Sequence, residues 1–326
     1  MENLSRDFND PNVALSTLQD NHEWFTNICR HCPGNVFIDQ NLQPAWQSWL
    51  ARHPNQHLRQ AIARNPSLLP DTIALLARDD NANIRSSIAS NLSTSPDLLH
   101  HLAIDPSRNV RLGVAGHRHA PAEALICLAI DNDWAIRSRV AHHLNTPIEV
   151  LINLAKDTDE RVRRYVAEHP NIPLEIVLQL LDDSGKLVRR SAAQHPKLPM
   201  DLLEELATRS DYFLRSGVAS NPRTSAELLI QLSYDEDTGI LNHVAKHPNT
   251  PVEVLVRLAS GRYKYDTVHL QIAKNRKTPS DVLAQLAHHT CTGVLYEVRR
   301  NPNASKKAQE IAFENYKTNL PPYPMT

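Results

Sequence analysis

From residue 65 onward the apolar positions fall into columns that repeat at one fixed step. Ile73, Leu99, Leu125, Leu151, Val177, Leu203, Leu229 and Leu255 stand 26 residues apart. Three positions later run Leu76, Leu102, Leu128, Leu154, Leu180, Leu206, Leu232 and Leu258, with Ala77, Ala103, Ala129 and Ala155 beside them. Spacing of i, i+3 and i+4 is one face of a helix, so each period predicts a leading helix. A second set follows in the same period. Ile84, Val110, Ile136, Val162, Val188 and Leu214 lie four residues before Ile88, Val114, Val140, Val166, Ala192 and Val218, which predicts a short trailing helix.

Polar residues punctuate this pattern. In "AEHPNIPLEI" (167–176), His169 has the chemistry of a metal ligand, a base or a proton switch. Its position recurs as Asn65, Asn91, His117, His143, His195, Asn221 and His247, then as Asn275 after 28 residues and Asn301 after 26. A position served equally by Asn does not need a proton switch. The expected role is to bond the last carbonyls of the trailing helix, while a following Pro stops it. Ahead of the leading helix, Thr146 with Glu149, Thr224 with Glu227 and Thr250 with Glu253 fit a capping box. Pro147 and Pro251 are then expected at the first helical position.

Two short helices cannot bury an apolar stripe alone, whereas stacked copies share a continuous core. The expected fold is therefore an all-α solenoid of about ten 26-residue two-helix repeats, beginning near residue 39. Residues 1–38 are expected to form an N-terminal cap containing a C-x2-C, and 39–300 the repeats. Residues 301–326 are expected to form a partial capping repeat and a tail.

Composition narrows the function classes. The 326 residues are 41% hydrophobic and 22% charged, which suits a folded chain. Only 8 Gly are present, too few to suggest phosphate-cradling loops, and the 35 basic and 36 acidic residues argue against a general polyanion binder. Four cysteines in a chain this long do not make a disulfide framework. The opening MENLSRDFND lacks the basic start and apolar stretch of a signal peptide, and no apolar run reaches membrane-spanning length. A cytoplasmic protein of bacterial style, with no membrane association, is expected.

A charged column runs Arg59, Arg85, Arg111, Arg137, Arg163, Arg189 and Arg215. One reading is a phosphate-binding stripe. The stronger reading is structural, because Asp79, Asp105, Asp131, Asp157 and Asp183 each precede one of these arginines by six residues. Each Asp is expected in the turn between the helices, near its own and a neighbouring Arg, as a self-neutralising ladder. The column ends at Leu241, and His269 takes its place next. Positions two before, one after and five after the Arg column point away from the core. There the middle repeats carry Arg161, Arg164, Leu187, Arg190 and Phe213, and the turns add Trp134 and Tyr212. Arg and aromatic groups together are the chemistry of protein hot spots, or of a nucleic-acid grip by phosphate contact and stacking.

The phrases "HLNTPIEVLINLAKDTDERVRRYVAEHPNIPLEIV" and "HPNTPVEVLVRLAS" resemble the leucine-rich repeat variant family, over roughly residues 39–312. The resemblance implies a right-handed superhelix that alternates α- and 3₁₀-type helices. The Asp–Arg pairing is also similar to the ladder of HEAT repeats. Some members of the variant family hold an iron–sulfur centre on an N-terminal cysteine cluster. Here "NICRHCPGN" offers only Cys29 and Cys32, since Cys127 and Cys291 belong to distant repeats. Two ligands do not hold such a cluster. His22 and His31 could complete a zinc set in principle, but a lone C-x2-C is a weak signal, and no metal or other cofactor is expected.

The chain has no G-x-G-x-x-G, P-loop, H-E-x-x-H or G-x-S-x-G. Some HEAT-like solenoids are DNA glycosylases, and Trp134, Asp159 and Arg161 give a faint likeness of such a site. No carboxylate pair otherwise stands apart from the repeat logic. The expectation is a non-enzymatic scaffold that binds a protein partner through Trp134, Arg161, Arg164, Leu187, Arg190 and Phe213. The alternative is nucleic-acid binding through a local Arg/aromatic groove. "SGRYKYDT" (260–267), with its two-residue insertion, is a second candidate region.

Overall fold

The computed structural model describes residues 42, 44–263 and 266–319, and in them every regular element is an α-helix. The described residues fall into two compact units that divide between Asn171 and Ile172. Cys29 and Cys32, with the expected cap at 1–38, lie outside the described residues.

Each unit is a stack of the two-helix repeat. In the first, leading helices such as Pro96–Leu102, Ala122–Leu128 and Ile148–Leu154 alternate with trailing helices such as Arg108–Ala115, Trp134–His142 and Glu160–Glu168. In the second, leading helices such as Met200–Thr208 and Val252–Ala259 alternate with trailing helices such as Lys186–Ala193, Tyr212–Ser220, Thr238–Lys246, Thr267–Lys274 and Thr292–Arg300. Both helices of the repeat are α-helical, so among the described residues the alternation with 3₁₀ helices is not found. Only isolated i→i−3 bonds at the ends have that character, such as Asp105 N–H to the Leu102 carbonyl at 3.2 Å. The core is the predicted set of columns. Ile84, Val110, Ile136 and Val162 are wholly buried, as are Ile88, Val114, Val140 and Val166 one turn on. Helices of seven to nine residues are too short to persist alone. Their stability comes from this shared apolar seam.

Two polar ladders tie repeat to repeat. In the first, Arg59 reaches the Asp79 carboxylate at 2.5 Å, Arg85 that of Asp105 at 2.7 Å, and Arg111 and Arg137 those of Asp131 and Asp157 at 2.6 Å. Each carboxylate thus pairs with the arginine of the preceding repeat. Its own arginine takes the aspartate's backbone oxygen instead: Arg85 Nη1 lies 2.6 Å from Asp79 O, and Arg163 Nη1 lies 2.7 Å from Asp157 O. The carboxylate also accepts the amide two residues on, as Asp105 does from Ser107 at 2.7 Å and Asp183 from Gly185 at 2.7 Å. In the second unit Arg209 stands where the next aspartate is due. Arg189 therefore pairs with Asp211 at 2.7 Å, and Arg215 pairs with Asp235 at 2.7 Å. Neither carboxylate is among the ladder aspartates named from the sequence. Burial is the largest single effect and would raise the Asp79 and Asp105 carboxyls, but the guanidinium hydrogen bond, the backbone amide bond and the charges of the neighbouring arginines together outweigh it and hold both below the ordinary carboxylate range.

The second ladder is the His/Asn column. Its imidazoles do not simply end their own helix. His117 Nε2 bonds the Asn91 carbonyl at 2.9 Å, His143 that of His117 at 2.9 Å, and His247 that of Asn221 at 2.9 Å. Where Asn stands, its Nδ2 donates to the same acceptor: Asn91 to Asn65 O at 2.8 Å, and Asn301 to Asn275 O at 3.0 Å.

The capping boxes do not form. Thr146, Thr224 and Thr250 are buried, and their hydroxyls donate backwards to the carbonyls of Val140, Val218 and Val244 at 2.6, 2.6 and 2.5 Å. They close the trailing helix rather than open the leading one. Pro147 and Pro251 precede the first helical residues, Ile148 and Val252, and offer their carbonyls to the first turn. At 224–227 the cap is Ser225, whose hydroxyl accepts from Leu228 N–H at 3.2 Å.

Candidate functional site

The ladders decide which charged residues remain outward. The ladder arginines Arg59, Arg85, Arg111, Arg137, Arg189 and Arg215 each hold a carboxylate, and their side chains keep only about a fifth of their exposure or less. A phosphate-binding stripe along this column is therefore not what the structure presents.

In the first unit, Asp159 caps the helix Glu160–Glu168 by accepting Arg161 N–H at 2.9 Å. The same carboxylate takes the Arg161 side chain at two points, Nε at 2.9 Å and Nη2 at 2.5 Å. The Arg161 hydrogen bonds hold the Asp159 carboxyl at about 2, against a smaller opposing effect of burial. So anchored, the guanidinium lies 3.3 Å from the ring centroid of Trp134 in the preceding repeat. Trp134 is not in the turn, as the sequence suggested. It is the first residue of the helix Trp134–His142, capped by Asp133, which also pairs with Arg108. Arg164 stands one turn beyond Arg161 and is bound to Glu168 at 2.9 Å.

In the second unit, Leu187 and Arg190 share the helix Lys186–Ala193, and Phe213 lies on Tyr212–Ser220. All three are half-buried. Arg190 Nη2 donates to His243 Nε2 at 3.1 Å, two repeats further along. Burial, reinforced by the Arg190 and Lys246 charges, pushes the His243 pKa down to about 4, so the ring is the neutral acceptor. Lys186 Nζ lies 5.5 Å from the Phe213 ring, whose edge meets Tyr212 at 5.1 Å.

The structure thus joins Arg161 directly to Trp134 and to Asp159, which the sequence sets beside them only as a faint glycosylase likeness, and it adds Lys186 and His243 as partners not named from the sequence. The Arg190–His243 contact spans 53 residues and left no local trace. Another unforeseen feature is the pair Ile104 and Ile130, 75% and 85% exposed, each next to a ladder aspartate. The signal was there, since Arg78 and Lys156 occupy the same column in flanking repeats. In the insertion, Tyr263 turns inward to bond the Leu258 carbonyl at 3.0 Å, and Lys264 and Tyr265 lie outside the described residues. Among the described residues Asp266, His269 and His289 bring three potential metal donors within 4.8 Å of one another. No described helix is long and apolar enough to cross a membrane.

The family described as leucine rich repeat variant matches residues 160–185, one full period. No curated protein sequence matches the chain. Among solved structures the chain is similar to a leucine-rich repeat variant with a novel repetitive structural motif. That match has 25% identity over 68% of this chain and 87% of that one, at TM-score 0.47. It is also similar to importin beta, at 14% identity over 97% of this chain and 50% of that one, TM-score 0.37. A third likeness is to computationally designed armadillo repeat proteins for modular peptide recognition, at 14% identity over 84% and 98%, TM-score 0.19.

Proposed function

For a chain built of leucine rich repeat variant units, we propose a non-enzymatic role as a scaffold that binds a protein partner through its repeat surface. The observation that carries this reading is the Arg161 guanidinium, clamped by Asp159 and laid on the part-exposed Trp134 ring. An ordered aromatic–Arg plate loses little conformational entropy on docking, which is what makes such residues protein hot spots. The histidines support a structural rather than catalytic use, because the column rings are engaged at both nitrogens. His143, for example, accepts Asn145 N–H at Nδ1 and bonds His117 O at Nε2. The contact residues are Trp134, Arg161 and Arg164 in one unit and Leu187, Arg190 and Phe213 in the other.

The same geometry weighs against nucleic acid. Arg161 and Arg164 each carry a carboxylate at hydrogen-bond distance, which repels phosphate and cancels the charge that counterion release would need.

The test is a nuclease-treated pull-down with the full-length tagged chain in lysate of the source organism. Wild type is compared with Trp134→Ala and with the triple variant Arg161→Glu, Arg164→Glu, Arg190→Glu, each checked for helicity. A protein retained by wild type and lost by both variants is the expected result. Capture abolished by nuclease, with affinity falling on the order of 10³-fold between low and moderate salt, would transfer the assignment to nucleic acid.

A further inference from the structure

The first ladder breaks off after Arg215–Asp235: Leu241 ends the arginine column, and at the next rung the replacement residues carry ligand chemistry. Each intact rung joins an arginine to an aspartate twenty residues on, as Arg215 joins Asp235. At the insertion the arginine position is His269 and the aspartate position is His289, again twenty residues apart. The rung survives in outline: His289 Nε2 lies 3.2 Å from His269 Nδ1, and His289 Nδ1 accepts Cys291 N–H at 3.0 Å, as a ladder carboxylate would. The insertion also brings Asp266 to this place. Its Oδ1 lies 3.6 Å from His289 Nε2.

We infer that Asp266, His269 and His289 bind a divalent transition-metal ion of the zinc type. Ligand atoms about 2.0–2.1 Å from a tetrahedral ion stand about 3.4 Å apart, close to the two separations found here. Two imidazoles and a carboxylate, with a fourth position for water, are a recurrent donor set for such ions. His269 is already oriented for it. Its Nε2 bonds the Ala259 carbonyl at 3.2 Å, so the proton sits there and the Nδ1 lone pair faces the site. His269 is buried, His289 mostly so, and Asp266 half-exposed, which gives the ion a fixed floor and an entry path.

The proton inventory balances. Without metal, the Nε2 proton of His289 is shared with His269 Nδ1. Metal binding takes Nε2 and leaves that proton on Nδ1, with no net release. The bond given up is that from the Cys291 N–H to Nδ1, at the partly exposed start of the helix Thr292–Arg300. The two nitrogens that now share a proton would share the ion.

The experiment uses the full-length chain with Cys29→Ser and Cys32→Ser, which removes thiolate competition from the N-terminal region. The protein is stripped of metal and titrated with Zn²⁺ by calorimetry. One ion per chain is expected. The double substitution His269→Arg, His289→Asp installs the residue types of the intact rungs, so it preserves folding while deleting both ring ligands. It should lose the ion entirely. Asp266→Asn, at a half-exposed position, should bind at least about tenfold more weakly. Co²⁺ in place of Zn²⁺ should show ligand-field absorption without a thiolate charge-transfer band. Absence of uptake by the parent chain, or uptake unchanged in the folded double variant, would overturn the assignment. A thiolate band would place the ion at another cysteine and overturn it equally.

Discussion

His143 bonds the carbonyl of His117 at 2.9 Å through Nε2, while its Nδ1 accepts the Asn145 amide at 3.1 Å. The second bond fixes the tautomer: Nδ1 is bare, so Nε2 carries the proton and donates it. An asparagine side chain presents the same pair, an acceptor oxygen and a donor nitrogen. Asn221 uses both, accepting Arg223 N–H at 2.9 Å and donating to His195 O at 2.9 Å. The alternation of His and Asn along the column is therefore a choice between two fillings of one socket.

Substitution should follow that chemistry. His117→Asn is expected to shift stability by well under about 1 kcal/mol, since donor and acceptor are both retained. His117→Leu leaves the Asn91 carbonyl and the His119 amide without these partners and should cost about 2–4 kcal/mol. Urea denaturation of the two variants side by side checks the ordering.

The buried histidines of the column, with His243 beside them in the trailing helix Thr238–Lys246, also set a pH dependence. Burial lowers the pKa of His117 and His247, partly offset by their bonds to the Asn91 and Asn221 carbonyls, and lowers that of His243 to about 4. An unfolded histidine titrates near about 6.5. Below that value the unfolded chain binds more protons than the folded one, so stability is full above it and declines as the medium is acidified. For His243 the decline extends to about pH 4. Thermal midpoints should fall steadily between about pH 7 and pH 5. The double variant His117→Asn, His247→Asn should show a shallower fall, and a flat wild-type profile would contradict the sign.

Much of this was legible in the sequence because a repeat writes each structural demand many times over. The columns Leu99/Leu125/Leu151 and Val110/Ile136/Val162 named the core directly. The Arg and Asp columns named the ladder. What periodicity does not carry is direction. It cannot tell whether Asp105 serves Arg111 in its own repeat or Arg85 in the one before, and the structure divides the roles between side chain and backbone. Thr146 was misassigned for the same reason: a hydroxyl between two helices serves either, and here burial turns it back to Val140. Departures from the repeat were the hardest to read. Arg209 displaces an aspartate and moves the rung to Asp211, while His269 and His289 meet only because both ladder columns change at one place.

Breaking a rung should cost more than a surface ion pair. The Arg85 and Asp105 side chains are 14% and 8% exposed, so Asp105→Ala takes the carboxylate from a shielded guanidinium, which keeps only backbone carbonyls at Nη1, and leaves the Ser107 amide without its acceptor. The expected loss is about 2–3 kcal/mol. Asp105→Asn keeps an acceptor oxygen and should lose less. Because the pair is largely shielded, about 0.5 M salt should leave the difference mostly intact.

Thr146→Val tests the corrected role of the threonine column. Val140 O keeps its bond from His143 N–H at 3.1 Å, so the lost hydroxyl bond should cost only about 1 kcal/mol. Ile172 and Leu198 occupy the equivalent position in later repeats, so the socket accepts an apolar side chain. Amide exchange at Val150 and Leu151, the first bonded amides of the leading helix, should be unchanged relative to the rest of the protein. Selective loss of protection there would restore the capping role.

Two glycines on trailing helices should respond in opposite directions. A Cβ on Gly217 would stand 2.5 Å from the Arg190 carbonyl oxygen and 2.6 Å from Ala193 Cβ. Those atoms belong to the backbone and a short side chain of the neighbouring helix Lys186–Ala193, so the helices must part. Gly217→Ala should therefore cost about 2 kcal/mol. A Cβ on Gly293 would meet only Leu270 Cδ1 at 3.6 Å and Cys291 Sγ at 3.7 Å, both ordinary contacts. There the helical preference of alanine acts unopposed, and Gly293→Ala should stabilise by about 0.5–1 kcal/mol. Thermal melts of the two variants against wild type should bracket it, Gly217→Ala below and Gly293→Ala above. A neutral Gly217→Ala would mean that the close approach of the two helices relaxes without loss of packing.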